Sequence, residues 1–140
     1  MKKKIFSRYF FYLICCLLTI PSVILIFTYI QPKNLAAIFA GGLFISLSSG
    51  VLAFEFYLNK KQKKISLTLI GTSFFLLLFS LPMFITRMVN FQSEFSTLTV
   101  LFIPANQFHR LSNYGFILMV VLILMDWISL IKMSKKISPN

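Results

Sequence analysis

Acidic residues are the scarcest functional groups in this 140-residue chain: Glu55, Glu94 and Asp126 stand against 14 Lys and Arg. Charged residues of both signs make up only 12%. A soluble domain carries nearer a quarter, so this chain has too little polar surface to cover a water-facing globule. There is one histidine, His109, which excludes a bis-histidine haem site and a typical zinc site. The two cysteines, Cys15 and Cys16, are adjacent. On a helix they point about 100° apart, which disfavours a bond between them. Both lie in an apolar run and read as small hydrophobes. Glycine-rich phosphate loops, H-E-x-x-H, C-x-x-C and nucleophile–base pairs are all missing. The serines of "FISLSSG" lack the surrounding G-x-S-x-G pattern. No catalytic constellation, metal site or cofactor site is therefore expected.

What is abundant is apolar: 58% of the residues, including 17 Phe. A helix needs about 20 apolar residues to cross a bilayer core. Four windows qualify, at about 9–31, 35–58, 65–86 and 114–131. Backbone groups in lipid must be satisfied within the segment, so these windows are helices. The first window resembles a signal peptide in its basic start. Its apolar run is too long and no small-x-small site follows, so it reads as an uncleaved first span. The expected fold is all-α: one integral membrane four-helix bundle with no second domain.

The net charge of +11 is arranged in short clusters between uncharged windows, which argues against nucleic acid as a partner. Eleven of the fourteen cations fall on one side: Lys2, Lys3, Lys4 and Arg8, then Lys60, Lys61, Lys63 and Lys64, then Lys132, Lys135 and Lys136. Lys33, Arg87 and Arg110 fall on the other. The positive-inside rule then places both termini in the cytoplasm of a bacterial plasma (inner) membrane.

The helix faces yield candidate packing residues. Gly42, Ser46, Ser49, Gly50 and Ala53 share a face of the second helix, at three- and four-residue spacing suited to close helix approach. Ala37, Gly41, Ser48 and Glu55 form a second such face, and Leu43, Leu47, Val51, Phe54 and Leu58 a third that reads as lipid-facing. Ser66, Ser73, Ser80 and Arg87 recur every seven residues on the third helix. Gly115, Met119, Leu122, Asp126 and Ser129 share a face of the fourth.

Glu55 and Asp126 lie five and six residues before Lys60 and Lys132, roughly 7–9 Å of helix rise inside the first cation. The simpler reading is that each carboxylate reaches a lysine or headgroup water, which is cheap near the interface. The sharper one is a pair facing each other across two helices and sharing a proton or cation, or contacting a partner protein. The stretch 91–103 has the rhythm of an amphipathic interfacial helix ended by Pro104, with an extended or re-entrant segment as the alternative. Arg87, His109 and Arg110 there suggest a corner for an anion or lipid headgroup. The expected function is an accessory or assembly subunit of a larger inner-membrane complex. The alternative is a small oligomeric transporter, channel or ligand-binding membrane protein using the intramembrane acids. Expected partners are membrane lipids and other membrane subunits, or further copies of the chain.

Overall fold

The computed structural model describes the backbone of residues 2–62 and 65–136, and the side chains of residues 8–58 and 65–133. Its elements are α1 (Lys2–Tyr29), α2 (Lys33–Gln62), α3 (Leu67–Phe75), a π-helical turn (Leu76–Ser80), α4 (Leu81–Val89), a 3₁₀ turn (Phe95–Thr97), β1 (Thr99–Val100), β2 (Ile103–Pro104) and α5 (Ala105–Lys136). The segment from α3 through α4 is one continuous rod. Four helical segments are thus long and apolar enough to cross a membrane: Arg8–Tyr29, Lys33–Leu58, Leu67–Val89 and Ala105–Met133. That is compatible with a multi-pass membrane protein. Of the cations used to orient the chain, Lys2, Lys3, Lys4, Lys60, Lys61, Lys63, Lys64, Lys135 and Lys136 have side chains outside the described residues.

α1 packs against α2 and α5, and the α3–α4 rod packs against the same two helices. Arg8, Glu55, Ser66, Thr68 and Asp126 gather at one end, hereafter the terminal end. The α1–α2 turn, which contains a cis peptide bond before Pro32, and the α4–α5 connection lie at the other, the loop end. There Asn34 donates to the Phe91 carbonyl at 2.8 Å and ties the two connections together.

Glycines set the close approaches. A Cβ on Gly71 would stand 2.7 Å from Leu122 Cδ1, and one on Gly115 would stand 2.6 Å from the Phe79 ring. These contacts hold the rod against α5. Gly41 does the same for α2, with Phe84 at 2.9 Å. The core at the terminal half is Tyr9, Tyr12, Cys16, Val51, Phe75, Met119 and Ile123.

The π turn has a local cause. Pro82 lacks an N–H and its ring would crowd the carbonyl of Leu78 four residues back. The helix widens just before it, and the Leu81 N–H bonds the Leu76 carbonyl five residues back.

Three expectations are corrected here. Residues 91–103 do not form one amphipathic helix: a 3₁₀ turn leads into the two-residue antiparallel ribbon pairing Thr99 with Pro104 and Val100 with Ile103. Thr97, Thr99, Val100 and Ile103 are β-branched, which favours extended backbone. Leu101 and Phe102 make the turn with φ of 49° and 67°, the pairing that suits the twist of a tight ribbon. α5 starts at Ala105, nine residues before the apolar window at Tyr114, so the connection is shorter than the pattern of polar residues suggests. On α2 the stripe read as lipid-facing is reassigned in part, while the small-residue face of Gly42, Ser46, Ser49, Gly50 and Ala53 is largely open within this chain. Ala36, Ala37, Ala40, Ser48, Val51 and Glu55 are buried, whereas Ser46, Ser49, Gly50 and Ala53 are exposed and Gly42 only brushes Phe84. Val51 and Leu47, read from the sequence as lipid-facing, pack into the core.

Candidate functional site: a polar anchor and a cavity at opposite ends

At the terminal end Glu55 is completely buried. Its Oε1 accepts from the Tyr12 hydroxyl at 3.1 Å and pairs with Arg8 Nε at 3.4 Å. Its Oε2 accepts from the Ser66 hydroxyl at 2.7 Å. Arg8 is itself buried, lies 4.5 Å over the Tyr9 ring and donates to the Tyr9 hydroxyl. Ser66 is the N-cap of α3, and its oxygen also accepts from the Leu69 N–H.

Asp126, half-buried on α5, meets the same helix start. Its Oδ2 accepts from the Thr68 N–H and the Thr68 hydroxyl, each at 2.7 Å. Both carboxylates therefore sit at the N-terminus of α3. Orphan N–H groups and the positive end of the helix dipole favour negative charge there.

Among the described residues Glu55 and Asp126 share no hydrogen bond, and each has its own hydroxyl donors. The charge on Glu55 is balanced by Arg8, which in the sequence counts as one more topology cation. The signal was present: "SLT" after the lysine cluster has a cap residue followed by a second hydroxyl, and both hydroxyls are used.

At the loop end a cavity of ≈ 480 Å³ lies between α1, α2, the rod and α5. It is lined along α1 by Thr19, Ile20, Val23, Ile24 and Phe27, and along α2 by Ala37, Ala40, Gly41 and Phe44. The rod contributes Phe75, Ser80, Met83, Phe84 and Arg87, and α5 contributes His109, Ser112, Asn113, Phe116 and Ile117. Toward the terminal end stand Phe44, Phe75 and Phe116, three rings in mutual edge-to-face contact with centroids 5.3–6.2 Å apart. Such pairs are a favoured aromatic geometry and form a firm floor.

The far end is polar. Arg87 and His109 both line the cavity, and Phe95 from the connection bridges them. The Arg87 guanidinium lies 3.9 Å from the Phe95 ring centre, and His109 meets that ring edge-on at 6.3 Å. No carboxylate pairs with Arg87 among the described residues. Arg110 is exposed and lines neither this cavity nor the small recess beside Arg87, so the expected three-residue corner is a two-residue one joined by Phe95. In the sequence Phe95 reads only as one apolar position in the rhythm of 91–103, with Phe91, Leu98, Phe102 and Ala105, and not as part of this corner.

One polar group inside the cavity has no counterpart in the protein. Ser80 is 6% exposed, lines the cavity, and its hydroxyl makes no hydrogen bond. Elsewhere the chain behaves ordinarily: Thr19, Ser22, Thr28 and Ser129 each donate to a carbonyl of their own helix at 2.6–2.8 Å. Ser80, at the end of the π turn, makes no such bond. Ser48 and Thr72, fully buried, have free hydroxyl oxygens as well.

No protein-family model, curated protein or solved structure matches this chain.

Proposed function

We propose that the chain is a four-span bundle in a bacterial plasma membrane, with both termini cytoplasmic, that holds a lipid-like molecule between its helices on the outer side. The observation that carries this reading is the cavity itself. Its ≈ 480 Å³ falls in the range of small-molecule sites, about 300–1,000 Å³. Its walls are apolar over most of their length and cationic at one end. In the positive-inside orientation that end faces the outer leaflet, at the depth of lipid headgroups. A head at Arg87 and His109 and a tail against Phe44, Phe75 and Phe116 match the two ends of an amphiphile. Cofactor chemistry plays no part in the proposal.

The test is purification in a mild detergent, solvent extraction and mass spectrometry of what comes with the protein. A defined amphiphile in near-stoichiometric amount is the expected result. Ser112→Phe, which places a ring in the cavity, should remove it. A wild-type protein that carries no lipid above detergent background would end this reading.

A second reading is favoured by one observation. The face of α2 carrying Ser46, Ser49, Gly50 and Ala53 is exposed, and a Cβ on Gly50 would meet nothing within 4 Å. Small residues on a lipid-exposed helix face suit close approach of another helix. This supports an accessory or assembly subunit of a larger membrane complex, or a homo-oligomer. Pull-down of the tagged chain from its native membrane tests it. Partners in fixed ratio that are lost with Gly50→Leu would support it, and a lone monomer would sink it.

A further inference from the structure

We infer that the ligand of the loop-end cavity is an anionic acyl ester, its charged head held by Arg87 and an ester carbonyl held by Ser80. The inference rests on the cavity reading above and specifies its chemistry. Arg87 offers a guanidinium without a carboxylate partner, the group that best matches phosphate or carboxylate oxygens. Its ring contact with Phe95 stacks one face of the guanidinium and leaves its edge N–H groups as donors. Anionic character is therefore favoured at this end over a zwitterion or a neutral head.

Ser80 adds the second requirement. A hydroxyl buried without a partner costs about 1–3 kcal/mol, and of the three such hydroxyls among the described residues, Ser48, Thr72 and Ser80, only Ser80 lines the cavity, where an acceptor from outside the chain can reach it. It lies seven residues before Arg87 on the same rod, roughly 10 Å along the helix axis. The Arg87 side chain is long enough to shorten that gap at the head. A ligand satisfying both must carry an acceptor several atoms below its anion. An acyl ester does; a free fatty acid or a simple alkyl phosphate has its only polar atoms at the end. Thr19, the other hydroxyl deep in the cavity, already donates to the Cys16 carbonyl and makes no such demand. At about 30 Å³ per water-sized group, the cavity holds on the order of sixteen such groups, enough for one acyl chain. A second chain would lie outside, along the outer half of α1.

The experiment is native mass spectrometry of the delipidated full chain titrated with three probes: diester phosphatidylglycerol, its diether analogue, and diester phosphatidylcholine. Wild type is expected to bind the anionic diester about three- to tenfold more tightly than the diether, the range of one neutral hydrogen bond. It is expected to prefer the anionic over the zwitterionic diester by about tenfold or more. Ser80→Ala should erase the ester–ether difference and keep the charge preference. Ser80→Thr, which keeps the donor, should retain both. Arg87→Gln should erase the charge preference and keep the ester–ether difference. Equal binding of diester and diether by wild type would overturn the role of Ser80. Equal binding of the two diesters would overturn that of Arg87. Either result leaves the cavity reading standing, whereas failure of all three lipids to bind would overturn that reading as well.

Discussion

From Tyr9 to Thr19, α1 buries Tyr9, Tyr12, Cys16 and Thr19 against α2 and α5, whereas from Ile20 to Tyr29 the same helix buries no residue. The two halves differ in how polar groups are handled as well as in packing. At the terminal end the carboxylates of Glu55 and Asp126 are both partnered, by Arg8, Tyr12, Ser66 and Thr68 across four helices, although Nε and one Nη of Arg8 make no hydrogen bond of their own. At the loop end Arg87, His109 and Ser80 face a cavity, and among the described residues Arg87 has no carboxylate partner and the Ser80 hydroxyl no hydrogen bond. A polar group in a low-dielectric interior is costly unless paired, so a closed network is what architecture alone requires. Under the proposed reading the terminal end holds the bundle together and the loop end takes the ligand.

The sharpest way to break this contrast is to damage the terminal end. Glu55→Leu would leave Arg8 buried without its counter-charge, and removing one partner of a buried pair costs about 3–5 kcal/mol. The expected result is a large fall in the thermal unfolding temperature in detergent. Adding Arg8→Met should restore much of it, since the uncompensated charge disappears. If Glu55→Leu alone is harmless, the network is not what fixes the start of α3. Asp126→Asn keeps an acceptor for Thr68 and should cost less, near the sub-kcal/mol average measured for hydrogen bonds between membrane helices.

A smaller loss is expected along the rod. Gly71→Ala would place a methyl 2.7 Å from Leu122 Cδ1, and overpacking of this kind costs about 1–3 kcal/mol. Leu122→Ala on the same background should recover part of the stability, because the clashing atoms are those removed. Non-additivity of the two substitutions in a thermal assay is the result to look for.

Much of this fold was legible in the sequence as four apolar windows, since length and hydropathy are local quantities. The face of α5 carrying Gly115, Met119, Leu122 and Asp126 was legible too, because small, large and acidic residues repeat there at helical spacing. The orientation of α2 was not. Two small-residue stripes compete on it, and the choice is made by the Phe84 side chain arriving from the rod, which no single-helix pattern contains. The same limit hid the partners of Glu55. Its depth was readable from Lys60, but Arg8 and Ser66 reach it only through the packing of α1 and the start of α3. At the other end, Arg87 and His109 stood out by rarity, while Ser80 looked like one more serine in a seven-residue stripe. Its significance appears only with the packing that places it, buried and unpartnered, in the wall of the cavity.

The smallest expected effect is the most discriminating for the two faces of α2. Gly41→Ala meets Phe84 at 2.9 Å on the buried face, while Gly50→Ala meets open space. In the isolated chain Gly41→Ala should lower the unfolding temperature, and Gly50→Ala should leave it unchanged or raise it slightly, since alanine is the better helix former by up to about 1 kcal/mol. The same pair measured in the native membrane separates the two functional readings. If the exposed stripe is bare to lipid, Gly50→Ala stays silent in every assay. If another helix lies along it, the added methyl acts at that contact and shifts the yield of the assembled complex while leaving the purified chain as stable as before.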